Sequence, residues 1–89
     1  PAFAKAMLDE AATAFLNGEP DVARLILRDL VNASVGFEEL AVETERPSKS
    51  LHRMLSEKGN PSMDNLALIF GVIGKHLGVA LRANAVEAG

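Results

Sequence analysis

Short helical segments, separated by glycine, proline and asparagine, account for most of the sequence. Apolar residues recur at three- and four-residue steps, the spacing that places side chains on one face of an α-helix. Glycine and asparagine favour the end of a helix, whereas proline fits its first turn. Such residues interrupt the apolar repeats at Asn17-Gly18, Gly36, Pro47, Gly59-Asn60-Pro61 and Gly78. The pattern therefore predicts an all-α fold with five helices.

The predicted helices each have an apolar face that we expect to be buried. Their expected ranges are residues 3–16, 20 to 32–34, 37–44, 47 to the loop that begins at Lys58, and 63–77. The expected buried residues are Phe3, Met7, Leu8, Ala11, Ala12, Phe15 and Leu16 in the first helix; Val22, Leu25, Ile26, Leu30 and Val31 in the second; Phe37, Leu40, Ala41 and Thr44 in the third; Leu51, Met54 and Leu55 in the fourth; and Leu66, Ile69, Phe70, Ile73 and Leu77 in the fifth. Residues 79–86 alternate in character, which leaves a short strand or a frayed end as alternatives.

The length and composition limit the classes of function. A chain of 89 residues is expected to form a single domain over residues 1–89. Aromatic residues make up 4% of it and cysteine is absent, which argues against base-stacking RNA modules, disulfide scaffolds and cysteine-based zinc sites. Without a long apolar run or a secretory signal, we expect a cytoplasmic protein with no membrane partner.

Charge is distributed unevenly along the chain. Residues 1–45 contain three basic and nine acidic residues, whereas residues 46–89 contain six basic and three acidic residues. The basic excess is concentrated at Arg46, Lys49, Arg53 and Lys58. This stretch could contact a polyanion while the acidic half faces away. Taken alone, it could equally be a solvated helix face.

Residues 37–55 combine two short predicted helices, a tight turn and a basic second helix, which is the pattern of a helix-turn-helix. The stretch from Phe37 to Leu55 resembles the helix-turn-helix of the Cro/lambda-repressor family, and the similarity covers roughly residues 22–78. The segment from Pro47 to Leu55, followed by Lys58-Gly-Asn-Pro61, is similar to the small antidote proteins of bacterial toxin–antitoxin modules. The resemblance implies a DNA-binding transcriptional repressor that represses its own operon and neutralises a toxin.

The outward face of the second helix of this motif carries the residues that we predict to contact DNA. Lys49 and Arg53 lie four residues apart and can reach guanine in a major groove about 12 Å wide. Ser48 lies near the helix start, where side chains of such motifs meet bases or phosphates. Ser50 and His52 flank this pair and suit phosphate or water-mediated contacts. By the resemblance, the base-facing positions are Ser48, Lys49, His52 and Arg53.

Residues around this face modify the prediction. Arg46 in the turn and Lys58 in the following loop are expected to add positive charge near the phosphates. Phe37 stands where the family usually has a polar residue that touches phosphate, and it has no side-chain donor. Glu43 and Glu45 near the turn are expected to repel DNA.

Other functions have less support in the sequence. Neither histidine has acidic residues at ligand-like helical spacing, and the serines lack a partnered base, so we predict no metal site, no cofactor and no enzyme.

One recognition helix reads few base pairs, so we expect a homodimer on a palindromic operator of double-stranded DNA. Its candidate interfaces are the Gly71/Gly74 helix and residues 79–86 of the tail at residues 79–89. The extra N-terminal helix at residues 1–18 is expected to pack on the domain or to bind a partner such as the toxin. A protein-interaction module with little DNA binding is the alternative function.

Overall fold

Five α-helices make up most of the chain in the computed structural model, which describes residues 2–88. The fold is all-α, as predicted, and the boundaries of the helices agree closely with the sequence pattern, except that the fourth helix ends at Met54, before the expected loop at Lys58. They are α1 (Ala2–Leu16), α2 (Pro20–Ala33), α3 (Phe37–Thr44), α4 (Ser48–Met54) and α5 (Met63–Leu77). No helix between residues 2 and 88 is both long and apolar enough to cross a membrane.

The chain after α5 forms an irregular tail. Gly78 takes a left-handed conformation (φ 69°) that ends the helix, and Val79 donates a backbone hydrogen bond to Gly74. Residues 79–88 contain no strand, so the frayed end is the correct one of the two alternatives. No other segment between residues 2 and 88 is extended beside the tail, and a lone strand cannot satisfy its backbone groups by itself.

One apolar core joins the five helices. Leu8 of α1 is buried in the same cluster as α2, α3, α4 and α5 side chains. The large side chains that are less than 2% exposed are Leu8, Leu27, Leu30, Val31, Leu40, Leu51, Leu55, Ile69 and Ile73. Because α1 contributes to this core, the expectation that it packs on the domain is confirmed.

The buried faces of α1 and α2 differ from the prediction. Ala23 and Leu27 are fully buried, whereas Val22 and Leu25 are 42% and 58% exposed. Alanines at the contact let the two helices approach closely, which turns the larger apolar residues outward. Phe3 and Leu16 were also expected to be buried, but they lie at the two ends of α1, beyond the core, and are exposed. In α3 the predicted face is largely correct, because Phe37, Leu40 and Thr44 are buried.

Gly74 makes its close contact within the chain. It is buried, and a β-carbon there would lie 3.0 Å from the carbonyl oxygen of Val79. Gly71 is exposed and has open space beside it. Of the two small residues expected at a dimer interface, Gly74 is therefore covered by the tail of its own chain.

Candidate nucleic-acid interface

A three-residue turn, Glu45-Arg46-Pro47, connects α3 to α4. Glu45 adopts a left-handed conformation (φ 56°), and the backbone N–H of Arg46 donates to the carbonyl oxygen of Ala41 at 3.2 Å. Pro47 is extended (ψ 139°) and precedes the first residue of α4. Leu40 and Leu51 are buried in the common core, which keeps the two short helices in a fixed relation.

Arg46 supports the turn from the inside. Its Nε donates to Oδ1 of Asn65 in α5 at 3.1 Å, and its Nη1 donates to the carbonyl oxygen of Thr44 at 3.2 Å. The side chain is half-buried. Arg46 is thus placed to stabilise the turn, in addition to the phosphate role that its charge predicts.

An arginine of α2 fixes the loop that leaves α4. Arg24 of α2 is half-buried and donates to two backbone carbonyl oxygens, from Nε to Ser56 at 3.2 Å and from Nη2 to Glu57 at 3.0 Å. A residue 32 positions away supplies these bonds, so helical periodicity gives no signal for them. Arg28, on the same helix, is exposed.

The outer face of α4 brings most of the predicted site together. Lys49, His52 and Arg53 are exposed, whereas Ser48 and Ser50 beside them are half-buried. Within residues 2–88, neither Lys49 nor Arg53 forms an ion pair. Both cations are therefore available to an external anion, and no acidic side chain in the described part of the chain competes for them.

His52 is exposed but it is not free to rotate. Its imidazole stacks on the phenyl ring of Phe37, with ring centroids 3.8 Å apart and planes inclined by 18°. Phe37 is 6% exposed and belongs to the core. Phe37 therefore gives no contact of its own to a phosphate, but it forms a rigid support for a residue of the outer face.

The loop after α4 contains Lys58. Lys58 is exposed, and the backbone N–H of the next residue, Gly59, donates to the carbonyl oxygen of Ser56 at 3.0 Å. A β-carbon at Gly59 would lie 2.2 Å from the carbonyl oxygen of Met54. Only glycine fits this close approach, so the path of the loop past the end of α4 depends on it.

Glu43 is turned toward α5. Its Oε2 accepts a hydrogen bond from Nε2 of His76 at 2.5 Å, and its Oε1 lies 3.9 Å from Nζ of Lys75. The hydrogen bond from His76 holds the pKa of Glu43 below its ordinary value, and the positive charge of Lys75 acts in the same direction. These partners offset part of the repulsion that we expected between Glu43 and DNA, whereas Glu45 remains exposed in the turn.

The same contacts form a cluster that sequence spacing did not indicate. One ligand atom each from Glu39, Glu43 and His76 lie within 4.8 Å of one another. The two glutamates belong to α3 and the histidine to α5, so the three residues come together only through the packing of these helices. Spacing within single helices, on which the expectation of no metal site depended, cannot detect such a set.

Comparisons of the chain with protein-family models, with curated proteins and with solved structures return no match.

Proposed function

We propose that this protein binds double-stranded DNA sequence-specifically, with α4 as the helix that enters the major groove. The observation that carries the proposal is the exposed, unpaired pair Lys49 and Arg53 on the outer face of a helix whose inner face is fixed in the core. Both side chains are donors of the kind that read guanine in the major groove. The buried leucines hold α4 against the core, and Arg24 holds the loop that follows it. The helix therefore stays in place when the two side chains bind.

The remaining predicted residues have graded roles in this proposal. Ser48 and Ser50 are half-buried, which suits short hydrogen bonds to phosphate more than contacts to base edges. His52, held by Phe37, presents the edge of its ring beside Arg53. Lys58 adds charge at the edge of the site, where a phosphate strand would pass.

We further propose that the protein is a repressor of its own operon and the antitoxin of a toxin–antitoxin module. The support is the similarity of the segment from Pro47 to Leu55, with the following loop, to antidote proteins. An antitoxin needs a second surface for its toxin. The acidic half of the chain supplies apolar side chains for such a surface, at Leu16, Val22 and Leu25.

The DNA-bound form in this proposal is a homodimer. The seven residues of α4 reach only a few base pairs, and two copies bound to half-sites about 34 Å apart would supply the missing specificity. The exposed tail and the open side of α5 at Gly71 are the surfaces proposed for pairing. Light scattering should give a complex that exceeds the mass of the operator duplex by twice the chain mass of 9.4 kDa. A 9.4 kDa monomer at high micromolar concentration, both with and without DNA, would contradict the dimer.

A protein-interaction module is the second candidate function. It is favoured by Leu16 and Leu25, two large apolar side chains that are 69% and 58% exposed and lie outside the core. On that alternative the basic face of α4 would be a solvated surface, and DNA would bind weakly or not at all.

A mobility-shift assay distinguishes the two functions. The probe is the DNA upstream of the gene that encodes this chain, with a scrambled duplex beside it, at 50 and 200 mM salt. We expect preference for the upstream duplex and an affinity that falls steeply as salt rises. The double variant Lys49→Ala/Arg53→Ala should lose the shift, while Lys5→Ala, which removes an exposed cation of α1, should retain it. Absence of a shift at both salt concentrations would favour the interaction module.

A further inference from the structure

Three side chains of types that can bind metals come together at the surface, from two helices. Glu39 and Glu43 lie one turn apart on α3, and His76 of α5 donates its Nε2–H to the carboxylate of Glu43. One ligand atom from each of the three lies within 4.8 Å of the other two. Glu39 and His76 are exposed and Glu43 is half-buried, so an ion can enter from solvent.

The charges at this point are unbalanced. Two carboxylates face a single imidazole, which has one Nε2–H to offer and already gives it to Glu43. The nearest other cation between residues 2 and 88 is Lys75, whose side chain is 81% exposed and 3.9 Å from Glu43. Such an exposed ion pair is weak and is easily displaced. The cluster therefore has capacity for further positive charge.

We propose that Glu39, Glu43 and His76 form a binding site for a divalent transition-metal cation of the zinc class. Ligand atoms about 2.0–2.2 Å from a tetrahedral zinc ion lie about 3.3–3.6 Å apart, so the exposed side chains must move by up to about 1.5 Å to close around the ion. Histidine nitrogen and carboxylate oxygen are both zinc ligands, and water completes the tetrahedron. Nε2 of His76 releases to solvent the proton that it now donates to Glu43, because only the deprotonated nitrogen can bind the ion.

The composition of the cluster favours zinc over magnesium or calcium. Imidazole suits zinc, nickel and copper, whereas magnesium and calcium select oxygen ligands and need six or more of them. A bound ion would connect α3 to α5 and so stabilise the folded state, which alone brings the ligands together. This consequence concerns the fold and is independent of whether the protein binds DNA.

Calorimetric titration of the full chain with zinc chloride at pH 7.5 tests the site. We expect one ion per chain, and at least ~10-fold weaker binding in His76→Ala and in Glu39→Gln. Glu38→Gln, which changes an exposed neighbour on α3 outside the cluster, should bind zinc like the unmodified protein. Lys75→Met should bind more tightly, because it removes the competing cation. Circular dichroism establishes that each variant remains helical.

Imidazole NMR spectra give a second readout that does not depend on variants. The chain has two histidines, and only the ring resonances of His76 should shift on addition of zinc, while those of His52 stay in place. Magnesium at the same concentration should shift neither. Zinc binding that is equally strong in His76→Ala, an equal response to magnesium, or no binding by the unmodified protein at 100 µM zinc would each overturn the proposal.

Discussion

The imidazole of His52 lies almost flat against the phenyl ring of Phe37, with ring centroids 3.8 Å apart. The contact joins the first residue of α3 to the outer face of α4. The two helices are therefore held together by this pair of rings as well as by the buried leucines. Phe37 has no side-chain donor for a phosphate. The structure indicates that its ring orients a neighbouring polar side chain instead.

The stack should appear as a coupling energy between the two residues. We expect Phe37→Leu and His52→Ala each to lower the free energy of unfolding, and the double variant to cost less than their sum by ~0.5–1.5 kcal/mol. Urea denaturation of the four proteins completes the cycle. As a control, Phe15→Leu combined with His52→Ala should be additive, because Phe15 packs on Phe70 at another place in the fold. Additivity in the Phe37 cycle would show that the stack contributes nothing.

Arg53 and Lys58 should affect DNA binding in different ways. Arg53→Ala should cost ~1–3 kcal/mol on the preferred sequence and relax the preference at one base position, because the side chain reaches the groove floor. Lys58→Ala should weaken binding to all sequences about equally and reduce the salt slope by about one, because it neutralises a phosphate. Both side chains are exposed, so thermal stability should hardly change. Binding isotherms on matched and scrambled duplexes at several salt concentrations separate the two effects.

If a folded Arg53→Ala protein binds the matched duplex as tightly as the unmodified protein, the assignment of α4 to the major groove is wrong. Arg46→Ala is a useful comparison. It removes hydrogen bonds to Asn65 and to the backbone of Thr44, so we expect it to lower stability as well as affinity.

Local signals in the sequence were sufficient to predict the helices. Ser62 caps α5 by accepting a hydrogen bond from the backbone of Asn65, and Gly78 ends that helix, as the residue types indicated. The buried face of α2 was predicted less well, since the sequence pattern gave weight to large side chains such as Leu25 and overlooked Ala23. Whether a small residue is buried depends on the helix that packs against it, which the sequence of one helix does not specify.

Long-range contacts around the candidate site could not be predicted. The bonds from Arg24 to the loop after α4, and the meeting of Glu43 with His76, each join residues more than 30 positions apart. Their side chains are compatible with a solvated surface when the sequence is considered alone. The outer face of α4 could be predicted because its residues are neighbours on one helix.

Arg24 should stabilise the loop that leaves α4. Arg24→Met keeps the apolar stem but removes the two hydrogen bonds to the carbonyl oxygens of Ser56 and Glu57. We expect the free energy of unfolding to fall by ~1–3 kcal/mol. Arg28→Met, an exposed position on the same helix, should change it by no more than ~0.5 kcal/mol. If the two variants are equally stable in urea denaturation, Arg24 does not stabilise the loop.

Two glycines should respond in opposite ways to alanine. Gly59→Ala forces a β-carbon against the carbonyl oxygen of Met54, and because that neighbour is backbone we expect a loss of ~1–3 kcal/mol or more. Gly71→Ala has open space in the middle of α5 and should gain ~0.5–1 kcal/mol. Thermal melts of both variants measure the effects. A Gly59→Ala protein as stable as the unmodified one would mean that the loop can take another path.

The interaction of Glu43 with His76 should make stability depend on pH in the acid range. The hydrogen bond from His76 lowers the pKa of Glu43 in the folded state, so the stabilisation is complete above the ordinary glutamate pKa of about 4.3 and is lost as pH falls through the lowered value. Glu43→Gln should therefore destabilise the protein at pH 6, and the difference from the unmodified protein should shrink progressively as the pH falls below the ordinary glutamate pKa.

Urea midpoints measured between pH 7 and pH 3, with a chelator present to exclude metal ions, test this dependence. Glu10→Gln is the matched control, because Glu10 is an exposed glutamate in the middle of α1 and forms no ion pair within residues 2–88. Its difference from the unmodified protein should stay near zero across the range. A Glu43→Gln difference that is the same at pH 6 and pH 3 would show that the ionised carboxylate is not what joins α3 to α5.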